Sequence, residues 1–260
     1  MPSELSVRLR TTQFLNYFAL LAVAAAGWYF LVETEYAMRV MRGEGFFMEL
    51  MWMMMRPSDL GPYLLATFVM WAVMMVAMMV PAVMPMLIVY RKMERGSSSE
   101  WPVFIFAWGY LVSWVLFSVI AAVIQWWLHG SGLLGGELLV IAMPYAAAIL
   151  VATGLYQLTP FKNACLERCR SPMGYFLQNF KRGNWGAFQM GFSHGLFCIG
   201  CCWMLMALMF VGGAMSVVTM AVLSVFIVLE RILPPGPWVS RIPGFVLIGA
   251  GVYLGVWVVG

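Results

Sequence analysis

The sequence predicts an all-α polytopic membrane bundle of about seven spans. Three observations carry this: the apolar content, the length of the apolar runs, and the side on which the cations collect. Of 260 residues, 63% are hydrophobic and 10% charged, with a mean hydropathy of +0.88; soluble domains are about half apolar and a quarter charged. The charges fall in short clusters between apolar stretches of roughly 18 residues or more, enough for a helix rising about 1.5 Å per residue to cross about 30 Å of hydrocarbon. Backbone polar groups find no partner in lipid, so these stretches must be helices, and the alternating strands of a membrane barrel are absent.

The spans fall at about 13–32, 62–90, 102–128, 138–159, 186–212, 214–229 and 242–259. The first follows Arg8 and Arg10, but its apolar run is long for a signal peptide and reads as a retained anchor. The stretch from Met38 to Met55 is too short and too charged for a further span. Without an internal repeat or low-complexity linker, 1–260 reads as one membrane domain, with its motifs between 62 and 232.

Orientation follows from the cations. Arg8, Arg10, Arg91, Lys92, Arg95, Lys162, Arg168, Arg170, Lys181, Arg182, Arg231 and Arg241 fall on one side, and Arg39, Arg42 and Arg56 on the other. Twelve against three puts the N-terminus in the cytoplasm and, with seven spans, the C-terminus outside. The net charge of +4 is thus used up in topology, and no basic patch suited to nucleic acid is left.

Five cysteines, Cys165, Cys169, Cys198, Cys201 and Cys202, cannot all pair within one chain. Cys165 and Cys169 are expected in the cytoplasmic loop after span four, where thiols stay reduced, so a disulfide framework is not expected. If that stretch is helical, the two sulfurs share a face and Lys162, Arg168 and Arg170 stand near enough to stabilise thiolates.

Span five is the most specific segment. At about 100° per residue, Met190 falls at about −40°, His194 at 0°, Cys198 at about +40°, Cys201 at about −20° and Cys202 at about +80°. One face thus carries all five soft or borderline donors, and Gly191, Gly195 and Gly200 let a neighbouring backbone approach. A single buried cysteine is ordinarily a small hydrophobe. Four thiol or imidazole donors on one face of a span instead point to a metal or redox site.

Span two offers a facing wall. Residues 70–86 hold seven methionines; Met70, Met74 and Met78 form one i, i+4 stripe, and Met75 with Met79 another. Thioether sulfur ligates Cu(I) without deprotonation, although methionine is also an adaptable packing residue. This span runs inward and span five outward, so Met74 to Met79 should share the depth of Cys198 to Cys202. Pro81 and Pro85 are expected to break or kink its inner half.

Three weaker features remain. The outer methionines between Phe46 and Arg56 suit an interfacial amphipathic segment. Glu230 beside Arg231 reads as a helix-end charge pair at the interface, and Trp126, Trp127, Trp185 and Trp238 fall at span ends, as an aromatic belt would. His129 falls in an outer loop and gains no role.

Three motifs carry a family resemblance: Trp71-Ala-Val-Met74-Met75-Val-Ala-Met78-Met79-Val-Pro81, the stretch Tyr156 to Pro172 containing Thr159-Pro160 and Cys165-x3-Cys169, and Gly191-Phe-Ser-His194-Gly195-Leu-Phe-Cys198-Ile-Gly200-Cys201-Cys202-Trp203. In these the chain resembles a bacterial family of predicted metal-binding integral membrane proteins of unknown function. The resemblance implies a multi-pass protein of the bacterial inner membrane that carries a metal; it implies no reaction.

Three readings stay open. In the first, a soft metal, Cu(I) ahead of zinc, is bound and handed on through His194, Cys198, Cys201, Cys202, Met74, Met75, Met78, Met79, Cys165 and Cys169, with a metal-delivering protein as partner besides the lipid bilayer. In the second, the same donors hold a redox-active copper in an oxidoreductase. In the third, the chain is a structural or assembly subunit among other membrane subunits, and its cysteines merely pack.

Overall fold

The computed structural model describes residues 4–40, 45–94, 101–136, 138–233 and 237–259, and apart from one two-residue hairpin its regular structure is helical. Arg42 and Arg95, two of the cations used for orientation, lie outside these residues. In chain order the elements are α1 (Glu4–Val40), α2 (Phe46–Met54), α3 (Leu60–Met93), α4 (Trp101–Gly130), β1 (Leu134–Gly135), β2 (Val140–Ile141), α5 (Met143–Gln157) and α6 (Pro160–Arg170). There follow α7 (Pro172–Asn179), α8 (Gly183–Ala207), α9 (Met209–Gly212), α10 (Val217–Ile232) and α11 (Pro237–Val259).

Helix occupies each of the seven stretches expected to span. Four segments are long and apolar enough to cross a membrane: Tyr17–Val40, Leu60–Met93, Trp101–Gly130 and Gly183–Gly212. The expected fourth span, 138–159, is partly spent on the antiparallel hairpin that pairs Leu134 with Ile141, so α5 keeps only 15 residues. At about 1.5 Å per residue such a helix falls short of a hydrocarbon core. The 16-residue α10 is similarly short.

Helix α4 is the hub: α3 packs on one side of it and α8 on the other, while α1 covers α3 and α6 covers α8. The α4–α8 crossing is close because its contact positions lack side chains. A Cβ on Gly191 would overlap the Phe106 carbonyl, and one on Gly195 would collide with Ser113. Ser113 Oγ donates across this contact to the Phe192 carbonyl at 2.9 Å. Small residues at an apolar helix crossing gain van der Waals contact over a long seam.

Some local expectations are corrected. Pro81 and Pro85 do not break α3, which runs on to Met93. His129 is in the last turn of α4, not a loop, with its Nδ1 3.1 Å from the Tyr63 hydroxyl. In α2, Met48, Met51 and Met54 are buried against the core while Phe46 and Trp52 face outward, so these methionines pack on protein and not on lipid headgroups.

Candidate metal centre

The face read from span five is formed. Helix α8 is continuous from Gly183 to Ala207, and Met190, His194, Cys198, Cys201 and Cys202 are all buried on it. Neighbouring elements hold α8 along its length. The Tyr175 hydroxyl donates to the Met190 carbonyl at 2.7 Å, Thr153 Oγ1 donates to Met204, and the Tyr156 hydroxyl donates to Gly200.

Cys165 and Cys169 are not in a loop apart from this face. They lie on α6, which starts where Thr159 caps the Lys162 amide and Pro160 supplies a preset first turn. The helix lies directly on α8, and the absent side chain of Gly200 makes room for Cys165, whose Sγ would be 3.0 Å from a Cβ there. One turn on, Cys169 stands beside Cys201, and the Cys201 and Cys202 thiols donate to the Cys198 carbonyl at 3.1 and 2.9 Å. The two cysteine groups, expected at successive depths, therefore form one cluster. All five thiols are free.

The sequence reading missed two participants. Arg231 reaches from α10 to place Nη2 2.6 Å from Cys198 Sγ, while its Nη1 donates to the Ala82 carbonyl on α3 at 3.2 Å. Tyr110 of α4 puts its hydroxyl 3.0 Å from the same sulfur and stacks on His194, with ring centroids 5.8 Å apart. The expected Glu230–Arg231 pair does not exist: Glu230 instead pairs with Lys162 at 2.7 Å, both side chains being buried. Residues i and i+1 of a helix point about 100° apart, a signal already present in the sequence.

The cations expected to flank Cys165 and Cys169 are otherwise engaged. Lys162 is held by Glu230 and Gln157, Arg170 Nε donates to the Glu230 carbonyl at 2.6 Å, and the Arg168 guanidinium lies 4.2 Å over the Phe197 ring. Accordingly, burial pushes the Cys165 thiol up, with Arg168 a partial offset. Hydrogen bonding to Cys201, then burial, holds Cys169 well above the usual thiol range.

Met74, Met75, Met78 and Met79 are all buried, within the same apolar cluster as Cys198, Cys201 and Cys202. Helix α3 does not lie in close backbone contact with α8; it reaches it through α4 and through the Arg231 bridge, which sets Ala82 opposite Cys198. Met78 and Met79 stand one turn of α3 from Ala82. His194 Nδ1 is buried without a hydrogen-bond partner, beside the ring of Tyr175 at 5.3 Å. Among the described residues, no set of three or more His, Cys, Asp and Glu side chains stands in a metal-holding arrangement.

A family model described as a copper chaperone, PpoB2, matches residues 68–254. The chain belongs to this family. The match takes in all ten residues singled out as ligand candidates, together with Tyr110 and Arg231, and is consistent with the resemblance to metal-binding proteins. Neither the curated proteins nor the solved structures contain a match. Copper handling, as the family's description has it, is what the thiol-rich junction of α6 and α8 has to account for.

Proposed function

We propose that this chain is a multi-pass protein of the bacterial inner membrane that binds Cu(I) at a buried Cys/His/Met centre and delivers it to a partner protein. Seven spans, with the short α5 and α10 crossing a locally thinned bilayer beside the longer helices, place the N-terminus in the cytoplasm and the C-terminus outside, an arrangement supported by the distribution of its cations. The observation that carries the reading is the packing of the α6 cysteines on the thiol face of α8, where Cys165 fills the space over Gly200 and Arg231 meets Cys198.

The donor set suits the cargo. Thiolate and thioether favour Cu(I) over harder ions, and burial of Cys198, Cys201 and Cys202 keeps water from the site. Cys169 and Cys201 bring one donor from each helix, Cys198 and Cys202 extend the set, and Met78 with Met79 offers neutral sulfur from the third wall. His194 Nδ1, a buried nitrogen with no partner, is a further donor on the same face. Cys165, seated over Gly200 one turn from Cys169, takes part in transfer.

Exchange with a partner protein uses the cavity of about 680 Å³ lined by Glu167, Arg168, Arg170, Tyr175 and Asn179. Its wall residue Tyr175 packs on His194, so one ring separates cavity from centre. Copper analysis of the purified full chain tests the reading: stoichiometric Cu(I) is expected in the wild type, with most of it lost in Cys198→Ser and Cys201→Ser. Wild-type protein that takes up no copper under reducing conditions would sink it.

A further inference from the structure

The cavity of about 680 Å³ formed by α6 and α7 has Arg168 and Arg170 in its wall. Each guanidinium is held there by a neutral group. Arg168 lies 4.2 Å over the Phe197 ring, and Arg170 Nε donates to the Glu230 carbonyl at 2.6 Å while its Nη2 is buried without a partner. The Glu230 carboxylate is spent on Lys162 at 2.7 Å, and Glu167 on the cavity wall answers at most one of the two arginines. A positive charge is therefore left over in the cavity. Arginines that served topology alone would be solvated and free to move. These two are oriented but not neutralised, the condition in which a guanidinium receives an oxyanion.

Depth decides which anion. The segment Gly183–Gly212 has 30 residues, about 45 Å at about 1.5 Å per residue, which matches a bilayer counted with its headgroup layers. Tyr175, on the cavity wall, donates to the Met190 carbonyl at 2.7 Å. Met190 stands about 10 Å from the inner end of that segment at the same rise, so the cavity lies where headgroups give way to acyl chains. On the next face of α7, Met173 and Leu177 are one turn apart and 52% and 73% exposed, apolar surface suited to acyl chains at this level.

We propose that the cavity binds the phosphate of an anionic phospholipid of the cytoplasmic leaflet, with Arg168 and Arg170 on the phosphate oxygens and the acyl chains along Met173 and Leu177. Basic pockets between helices on the cytoplasmic side take such headgroups. The inference rests on the orientation proposed above and on no metal. The cavity is far larger than a phosphate group, so a seated headgroup leaves room for the exchange proposed there. Because α6 carries both arginines as well as Cys165 and Cys169, the lipid tethers the thiol-bearing helix to the membrane surface.

The test is native mass spectrometry of the purified full chain, without added copper, titrated with phosphatidylglycerol or with phosphatidylcholine of the same acyl chains. Wild type is expected to retain phosphatidylglycerol at about 25-fold lower concentration, the scale of two arginines at about 5-fold each. Arg168→Gln with Arg170→Gln should abolish that preference, and Arg56→Gln, on the outer side, should leave it intact. Glycerol phosphate, the same anion without chains, should not displace the lipid.

Equal retention of the two lipids by wild type overturns the proposal, as does a preference that survives the double variant. Displacement by glycerol phosphate at the lipid's own concentration would show a soluble anion site and overturn the lipid assignment. Should the double variant fail to fold, Arg168→Gln alone decides, since Arg168 is exposed: an undiminished preference overturns the proposal. The lipid preference is read without metal, so its failure leaves the copper reading standing, and a chain that binds no copper leaves this site standing.

Discussion

Lys162 and Glu230 show how a single residue's surroundings decide its worth. Each is buried, and each is satisfied by the other, with Gln157 and Arg170 completing the network. Breaking such a pair strands a charge, whereas replacing both members by apolar groups is often neutral. Lys162→Met and Glu230→Gln are each expected to lower stability by about 3–5 kcal/mol. The double replacement Lys162→Met with Glu230→Met should cost much less than the sum, as read by thermal unfolding in detergent. Cys169 supports a prediction on the pH axis. Its thiol is held well above the usual range, so in the folded chain it stays protonated past the pH at which a free thiol ionises, about 8.5. Alkylation of Cys169, followed by mass spectrometry, should therefore rise at higher pH in folded protein than in unfolded protein. Coincident profiles would contradict the buried hydrogen bond to Cys201. Apart from Lys162 with Gln157, these partnerships join positions far apart in sequence and were not legible along the chain. Only the geometric unsuitability of Glu230 and Arg231 as partners could have been read from spacing.

At the scale of elements, helical periodicity was informative wherever one helix supplied the whole feature. The donor face of α8 is one such case, since a fixed turn of about 100° per residue determines which side chains share a side. Cys165 and Cys169 were expected in the loop after span four, with its helicity left open, because topology says which segments lie between spans but not how they pack. In fact α6 is a capped helix that turns Cys165 and Leu166 into the protein and lies on α8. The glycines of α8 were read correctly as points of close approach, although the sequence could not say that Gly191 and Gly195 receive α4 while Gly200 receives Cys165. Gly191→Ala is expected to destabilise by about 1–3 kcal/mol through overpacking of the α4 crossing. Gly249→Ala on α11, where an added Cβ meets nothing within 4 Å, should instead stabilise slightly, by about 0.5–1 kcal/mol. Comparing the unfolding midpoints of the two variants checks both, and similar losses would argue against the close crossing.

For the whole molecule, hydropathy gave the helical class, and four long apolar helices account for most of it. Span counting is weakest at α5 and α10, where short helices and a hairpin replace a full-length apolar run. Composition sees the apolar residues there but not how many of them are helical. The same tertiary arrangement turns what reads along the chain as a series of sulfur sites into one junction, with α6 and α8 supplying thiols, α10 the cation and α4 the tyrosine. The most direct test of that junction is copper analysis combined with X-ray absorption on the purified full chain, wild type beside Cys169→Ser and Cys201→Ser. The account predicts stoichiometric, sulfur-coordinated Cu(I) in the wild type, and a loss of bound copper in both variants although their cysteines belong to different helices. Copper retained undiminished when Cys169 is replaced, or absent from the wild type, would contradict a single centre shared by α6 and α8.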